Sequence, residues 1–453
     1  MFERLDDPFS GLPPARYASL CVADIDGCGA RALVMGAVGA ANRILALRPG
    51  GPVDCDPDRL AEAAAATVAV CAGDVDGDGA EELFLGHGDP GGCMRGAGER
   101  LFDLDAGEWH DLLGPGAAPG PAWLPPVGAL AVPAVGLGCG ILVLAPGAPA
   151  RLLAASGSEG VRDLSPLAGL DEPVPSPHGR FGSWPDGSGR LLIAADDGPW
   201  LLERGAGRSF VEWRSSGPLR IAPAGALAFV SALPDGRLDL FRASRGGDQQ
   251  LLAASDGGRI ADVTPRLLGE AGPVLDALAS DFDGDGEEEV LLLCDGEPNR
   301  LFGWREGGWR PLDAGAATLP LGRHAAAAFF DLDRDGCPEL VLLPGEAAAE
   351  RPLAFRGRGC GPGDFVAIAV RGISGAPARG AEVRSRIAGR WRVRVIDCGG
   401  GRVQTEPVAW FGTGGAAGVE EVRIRWPDGA ATTLRDLAVG RVHTVRHPSA
   451  GVR

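Results

Sequence analysis

Three stretches of this chain set carboxylates at alternating positions, then a glycine, then a further carboxylate three residues on. They are Asp74-Val-Asp-Gly-Asp-Gly-Ala-Glu-Glu82, Asp281-Phe-Asp-Gly-Asp-Gly-Glu-Glu-Glu289 and Asp331-Leu-Asp-Arg-Asp-Gly-Cys-Pro-Glu339. Four carboxylates confined to nine residues repel one another strongly unless a cation sits among them. Oxygen ligands in that number suit a hard cation, and calcium in particular. The spacing makes a first cage of Asp74, Asp76, Asp78 and Glu82 with the Ala80 carbonyl. Asp281, Asp283, Asp285, Glu289 and the Glu287 carbonyl make a second, and Asp331, Asp333, Asp335, Glu339 and the Cys337 carbonyl a third. An EF-hand opens in the same way but needs a bidentate Glu at position 12 and flanking helices. Position 12 here is Leu85, Leu292 or Leu342, each in an apolar run, so the loop closes early into a strand.

No other chemistry stands out. The six histidines form no H-E-x-x-H pair, and nucleophile-elbow, Walker and dinucleotide fingerprints are missing, so no catalytic residue is identified. Ten scattered cysteines include no C-x-x-C, which points to free thiols, with Cys21, Cys71 and Cys294 acting as small apolar residues.

The elements that hold these loops repeat. With the glycine at position six as a marker, the complete copies fall at Gly79, Gly286 and Gly336, and a degraded copy, Asp24–Ala32, at Gly29. Three eroded copies keep the phase: Pro133–Ile141 with Gly138, Gly182–Arg190 with Gly187, and Ser231–Asp239 with Gly236. The intervals of about 50 residues signal a propeller or a solenoid. Around Asp281 the pattern reads as four short strands: Val274–Ser280, Val290–Cys294, Asn299–Trp304 and Gly308–Leu312. Leu5-Asp6 precedes Asp24 by the same interval as Leu312-Asp313 precedes Asp331, so residues 2–6 read as the last strand of the seventh repeat. The expected fold is all-β: a seven-bladed β-propeller over 1–360 closed by the N-terminal strand, a small C-terminal β domain over 361–447, and a tail at 448–453. Only the Ala-rich Leu60–Thr67 has helical character.

The net charge of −17 argues against nucleic acid as a partner. The charge is uneven: residues 361–453 hold 14 Arg against eight Asp and Glu. The simpler expectation is an acidic metal-binding body with a neutral-to-basic appendage; the sharper one is that the basic domain docks on the acidic one, or on an anionic partner. In Arg390–Val395 and Glu421–Trp426 charged and apolar residues alternate, so Trp391, Val393, Val395, Val422, Ile424 and Trp426 are expected to face a core. Arg390, Arg392, Arg394, Arg423 and Arg425 are then expected to face solvent. The uncharged stretch Leu112–Ala150 is broken by Pro125, Pro126, Pro133 and Pro146, which excludes a helical membrane span. The N-terminus lacks the basic and apolar regions of a signal peptide, so the chain as written is expected in the cytoplasm, or secreted or periplasmic if its start lies elsewhere.

The acidic loops resemble FG-GAP or VCBS repeats of integrin-α-like propellers, whose ions brace the blade loops. Gly375-Ala-Pro-Ala-Arg-Gly-Ala-Glu-Val383, Phe411-Gly-Thr-Gly414 and Val422-Arg-Ile-Arg-Trp-Pro-Asp-Gly429 resemble the ASPIC/UnbV signature. Propeller plus ASPIC/UnbV is the arrangement of the cartilage acidic protein family, with its many bacterial relatives. The resemblance implies about three structural calcium sites in an interaction protein whose propeller face or β tail binds a protein or glycan. The alternative it leaves open is a calcium-dependent enzyme or accessory protein of secondary-metabolite biosynthesis, in which the ion would polarise a substrate oxygen and a small-molecule substrate would bind. A third possibility is an assembly factor without a small ligand.

Overall fold

The structure is a computed structural model. It describes the chain apart from residues 56–59, 61–65, 89–98, 115–127, 135–137, 146, 156–159, 166–169, 171–178, 184–188, 194–199, 205–209, 213–223, 232–235, 245, 255–259, 270–271, 321–325, 346–348 and 451–453, and for the strands between 179 and 212 it describes the backbone alone. The Ala-rich segment expected to be helical lies mostly outside the described residues. None of the described helices is long and apolar enough to cross a membrane.

The repeats fold into successive antiparallel sheets whose strands follow chain order. The first sheet is Arg16–Ala23, Ala32–Val38, Arg43–Arg48 and Gly51–Asp54. The second is Thr67–Gly73, Glu82–His87, Arg100–Asp105 and Glu108–Asp111. Three more begin at Gly128–Ala134, Gly179–Ser183 and Ala224–Val230. The sixth is Val274–Ser280, Glu289–Cys294, Arg300–Arg305 and Gly308–Leu312, and the seventh Ala326–Phe330, Glu339–Leu343 and Leu353–Gly357. The strand Phe2–Arg4 supplies the seventh with its fourth member, Phe2 lying opposite Gly357. First strands of successive sheets lie beside one another, which is β-propeller architecture.

Continuous apolar runs explain how the sheets stack. Where side chains are described, the inner strands are buried on both faces against neighbouring sheets and read as nearly continuous apolar runs; all six residues of Glu289–Cys294 are buried. One cluster joins Val274, Val290 and Leu292 to Ala228 and Phe241 of the preceding sheet. Another joins Phe330 and Val341 of the seventh sheet to Val22 and Met35 of the first.

Two shortened copies depart from the expected loops. In the third sheet pairing runs as far as Ala134 opposite Gly138, so Pro133 and Gly138–Ile141 are strand residues and three residues remain to connect them. In the fourth, Ser183 pairs with Gly189. The third copy has lost every carboxylate and the fourth keeps only Asp186, too few to wrap a cation.

The C-terminal part forms two further sheets, Val408–Gly412, Phe365–Arg371, Val442–Arg446 and Arg390–Val395, Glu382–Ile387, Gly418–Arg425, Ala431–Ala438. Their shared core holds Val366, Ile368, Phe411, Val383, Val422, Ile424 and Trp426. Between Val395 and Val408 the chain leaves this small body and enters the propeller as a tongue. Its strand Val403–Gln404 pairs in parallel with Arg16–Ala23, Leu20 opposite Val403. Gln404 is fully buried, and its side-chain amide bonds both backbone groups of Ala72, at 2.8 and 2.9 Å. Ala129 and Ala131 donate to the carbonyls of Gly401 and Cys398, and Thr405 donates to Phe329. The tongue therefore meets first strands from the first, second, third and seventh sheets.

Of the two readings of the charge asymmetry, the structure has the basic part docked on the acidic one, and the arginine face expected in solvent is covered. Arg390 and Arg392 pair with Glu287 and Arg394 with Glu288, so this arginine face is turned to the acidic loop of the sixth sheet. Arg392 is buried. Alternation predicts which residues share a face but not whether that face meets water or a protein surface of opposite charge.

Candidate metal centre

Five of the repeats, the first, second, fifth, sixth and seventh, span the same eight residues between paired strand ends, as from Ser280 to Glu289 and from Phe330 to Glu339. The complete loops share one internal frame. The glutamate at position nine begins the second strand, and one of its oxygens accepts the backbone N–H at position two. Glu289 takes Phe282 and Glu339 takes Leu332, each at 2.9 Å, and Glu82 takes Val75. The side chains at position two, Val75, Phe282 and Leu332, are buried as wedges, Phe282 stacking edge-on against Phe2 and Phe329. The aspartates at position five cap the backbone two residues on, binding the N–H groups of Ala80, Glu287 and Cys337 at 2.8–2.9 Å. Position-six glycines hold φ of +89° to +105°, where a Cβ would be strained.

This frame turns the remaining oxygens inward. In the second sheet Asp74, Asp76, Asp78 and Glu82 each offer an oxygen within 4.8 Å of all the others. Glu82 is fully buried, and its second oxygen has no hydrogen-bond partner. Burial, with Asp76 nearby, pushes the Glu82 carboxyl up to about 9, and burial pushes Asp74 up to about 6. A buried carboxylate oxygen without a donor is costly, and a bound cation removes the cost. The residues here fit a hard divalent ion.

The other two loops differ. In the sixth sheet Asp281, Asp283 and Asp285 converge, without Glu289. Arg305 reaches in, its Nη2 2.5 Å from Glu289, 3.0 Å from Asp285 and 3.6 Å from Asp283. One Asp281 oxygen still lacks a partner, and burial with Asp285 nearby pushes that carboxyl up to about 8. In the seventh sheet Asp331, Asp333 and Glu339 converge, without Asp335. Arg356 lies 2.5 Å from Glu339, 2.9 Å from Asp335 and 3.0 Å from Asp333. The degraded first copy brings together Asp24, Asp26 and Cys28, and Arg371 from the small body pairs with Asp24.

Sequence reasoning missed the acid at position eight. Glu81 accepts the backbone N–H of Asp24 in the preceding sheet, and Glu288 that of Ser231, each at 2.8 Å. Position eight of the first copy is Arg31, and there Glu406 of the tongue takes over. It accepts the Asp331 N–H at 3.1 Å, pairs with Arg31 and accepts from the Trp410 ring nitrogen. Arg379 also binds the interface. Its Nε donates to Glu81 at 2.6 Å, and its other nitrogens to the carbonyls of Val22, Asp397 and Thr405. Ser374 donates to Asp74 at 2.5 Å, and the Gly414 N–H to the Gly284 carbonyl at 2.9 Å. A Cβ on Gly412 would overlap the Asp281 carboxylate. The acidic loops and the small body form one interface. The recurrence of Glu at position eight in two copies was the signal available for it.

Residues 372–452 match the family described as ASPIC and UnbV, and residues 281–342 match the FG-GAP-like repeat. Cartilage acidic protein 1 of Xenopus tropicalis is 31% identical over 226 residues, 47% of this chain and 34% of that protein. The Homo sapiens protein of the same name is 32% identical over the same shares. The chain thus spans about a third of the length of these relatives. Among solved structures, BP39L lectin from Burkholderia pseudomallei aligns at a TM-score of 0.49 and 13% identity, over 76% of this chain and 97% of the lectin. A structure of BBS1N in complex with ARL6DN aligns at 0.46 and 12%, over 80% and 98%.

Proposed function

We propose that this chain, a relative of the cartilage acidic proteins by its FG-GAP-like repeats and its ASPIC/UnbV domain, is a calcium-binding interaction scaffold. In this reading residues 1–360 form a ring of seven blades closed by Phe2–Arg4. Residues 361–447 form the ASPIC/UnbV-like domain that docks on the face carrying the acidic loops, and 448–453 form a tail. Asp74, Asp76, Asp78 and Glu82, with their counterparts in the sixth and seventh sheets, would hold the ions. An ion supplies charge neutralisation there, and the protein's residues position the loops against the tongue. The observation that carries this reading is the fully buried, unpartnered Glu82 oxygen among three aspartates.

The tongue also bears on what the scaffold presents. Because Val403–Gln404 lies beside Arg16–Ala23, a ligand approaching from the small body's side meets the chain's own residues. The opposite face and the rim remain for a protein or glycan. Thermal unfolding of the chelated protein with and without added calcium tests the metal reading. Calcium at about a hundredfold over Kd adds about 2.7 kcal/mol, and Glu82→Ala removes much of that gain, with Glu289→Ala and Glu339→Ala as companions. A melting temperature indifferent to calcium sinks the assignment.

A further inference from the structure

We infer that Arg305 and Arg356 are built-in cations of the sixth and seventh loops, and that they leave loop 74–82 as the first site to take a divalent ion. The inference rests on the reading that these loops bind such an ion. The three loops are unequal, and the residues of the third strand set their order.

The difference lies at one place in the fold, the third strand where it passes the position-nine glutamate. In the sixth sheet Gly303 lies directly opposite Glu289. The Arg305 guanidinium folds back over that glycine, 3.1 Å from where a Cβ would stand, and reaches three carboxylates. In the seventh sheet the pairing of Leu340 with Phe355 brings Arg356 alongside Glu339. In the second sheet the pairing of Leu83 with Phe102 brings Asp103 to that place instead. One Asp103 oxygen is buried and has no partner. So the third strand, from that position or two residues beyond it, adds a positive charge to two loops and a negative charge to the third.

The partner of the position-nine glutamate reports the consequence. The second oxygens of Glu289 and Glu339 are taken by arginine, whereas that of the fully buried Glu82 is unpartnered. A divalent ion entering the sixth or seventh loop must displace a guanidinium already bonded to the oxygens it needs. Both arginines are part-exposed and can swing to solvent, so displacement weakens binding without forbidding it. Among the described residues, no arginine is displaced by entry into loop 74–82.

Calcium titration of the chelated full chain by calorimetry separates the outcomes. The expected isotherm has one tight site that Glu82→Gln abolishes, followed by weaker binding. Arg305→Gln and Arg356→Gln, which keep bulk and hydrogen-bonding capacity but remove the charge, each tighten one weak site by about tenfold or more. Three equal sites in the unaltered chain, or weak-site affinities unmoved in both arginine variants, overturn the inference while leaving calcium binding intact. No calcium binding by any variant overturns both. Circular dichroism of each variant verifies that the fold is kept.

Discussion

Arg379→Met tests how firmly the small body is held. Arg379 and Glu81 are both buried, at 4% and 2% exposure. The guanidinium donates to Glu81 and to three carbonyls, two from the tongue region and one from the first sheet. Methionine keeps most of the side-chain volume, so the change removes charge and donors rather than opening a large cavity. Glu81 keeps the Asp24 N–H, its remaining bond from the first sheet, but loses its counter-charge. Breaking a buried pair from one side costs about 3–5 kcal/mol, because a charge is left in a low-dielectric place. The assay is urea unfolding followed by tryptophan fluorescence, to which Trp410 and Trp426 of the small body contribute. Adding Glu81→Gln to Arg379→Met removes the stranded charge and keeps an acceptor for Asp24. The double variant is expected to recover about 2 kcal/mol relative to the sum of the two single losses. A single loss below about 1 kcal/mol, or additivity within about 0.5 kcal/mol, would refute a tight electrostatic clamp.

Two further outcomes follow from the same interface. In chelator, the folded protein holds protons on Glu82 and Glu339 up to about 9 and on Asp281 up to about 8, whereas an unfolded Glu releases its proton near 4.5. Raised carboxyl values give stability that is full below the unfolded value and lost as pH climbs through the folded one, so the melting temperature in chelator falls from pH 5 to 9. Calcium flattens this slope, and a chelated protein that melts at constant or rising temperature over that window contradicts the burial described. Gln404→Leu removes the amide partner of both the Ala72 N–H and its carbonyl, leaving the carbonyl a weak contact from the Cys71 thiol, at about 1–3 kcal/mol for each buried group. The urea midpoint should drop accordingly with calcium stoichiometry unchanged, and a loss under about 1 kcal/mol would mean that the tongue is loosely seated.

The parts of the fold legible in the sequence are those written locally. Val274–Ser280 and Gly308–Leu312 end where apolar runs meet turn residues, and the acidic loops announce themselves by carboxylate spacing within nine residues. Charge asymmetry hinted at the interface but not at its residues, because the partners lie far apart in the chain. Glu406 reads as an ordinary acid until Arg31 and the Asp331 N–H are seen around it. Arg305 and Arg356 carry no sign of their role until strand register sets them beside Glu289 and Glu339. The arginines at 390, 392 and 394 gave the correct face and the wrong neighbour. The eroded copy at Pro133–Ile141 misled because phase was extended to a loop that had already lost its carboxylates and shortened.

The tongue and the N-terminal strand have a consequence for biosynthesis. Cys21 meets Gln404 across a separation of 383 residues, and Glu3 meets Arg358 across 355. A ribosome has therefore made most of the chain before either contact can form, and earlier sheets emerge as an open arc with an unpaired inner edge. Loop closure on that scale is slow, and exposed strand edges recruit other chains. The nascent protein passes through a stage at which a chaperone, or a neighbouring copy, can reach the edge that Val403–Gln404 later covers.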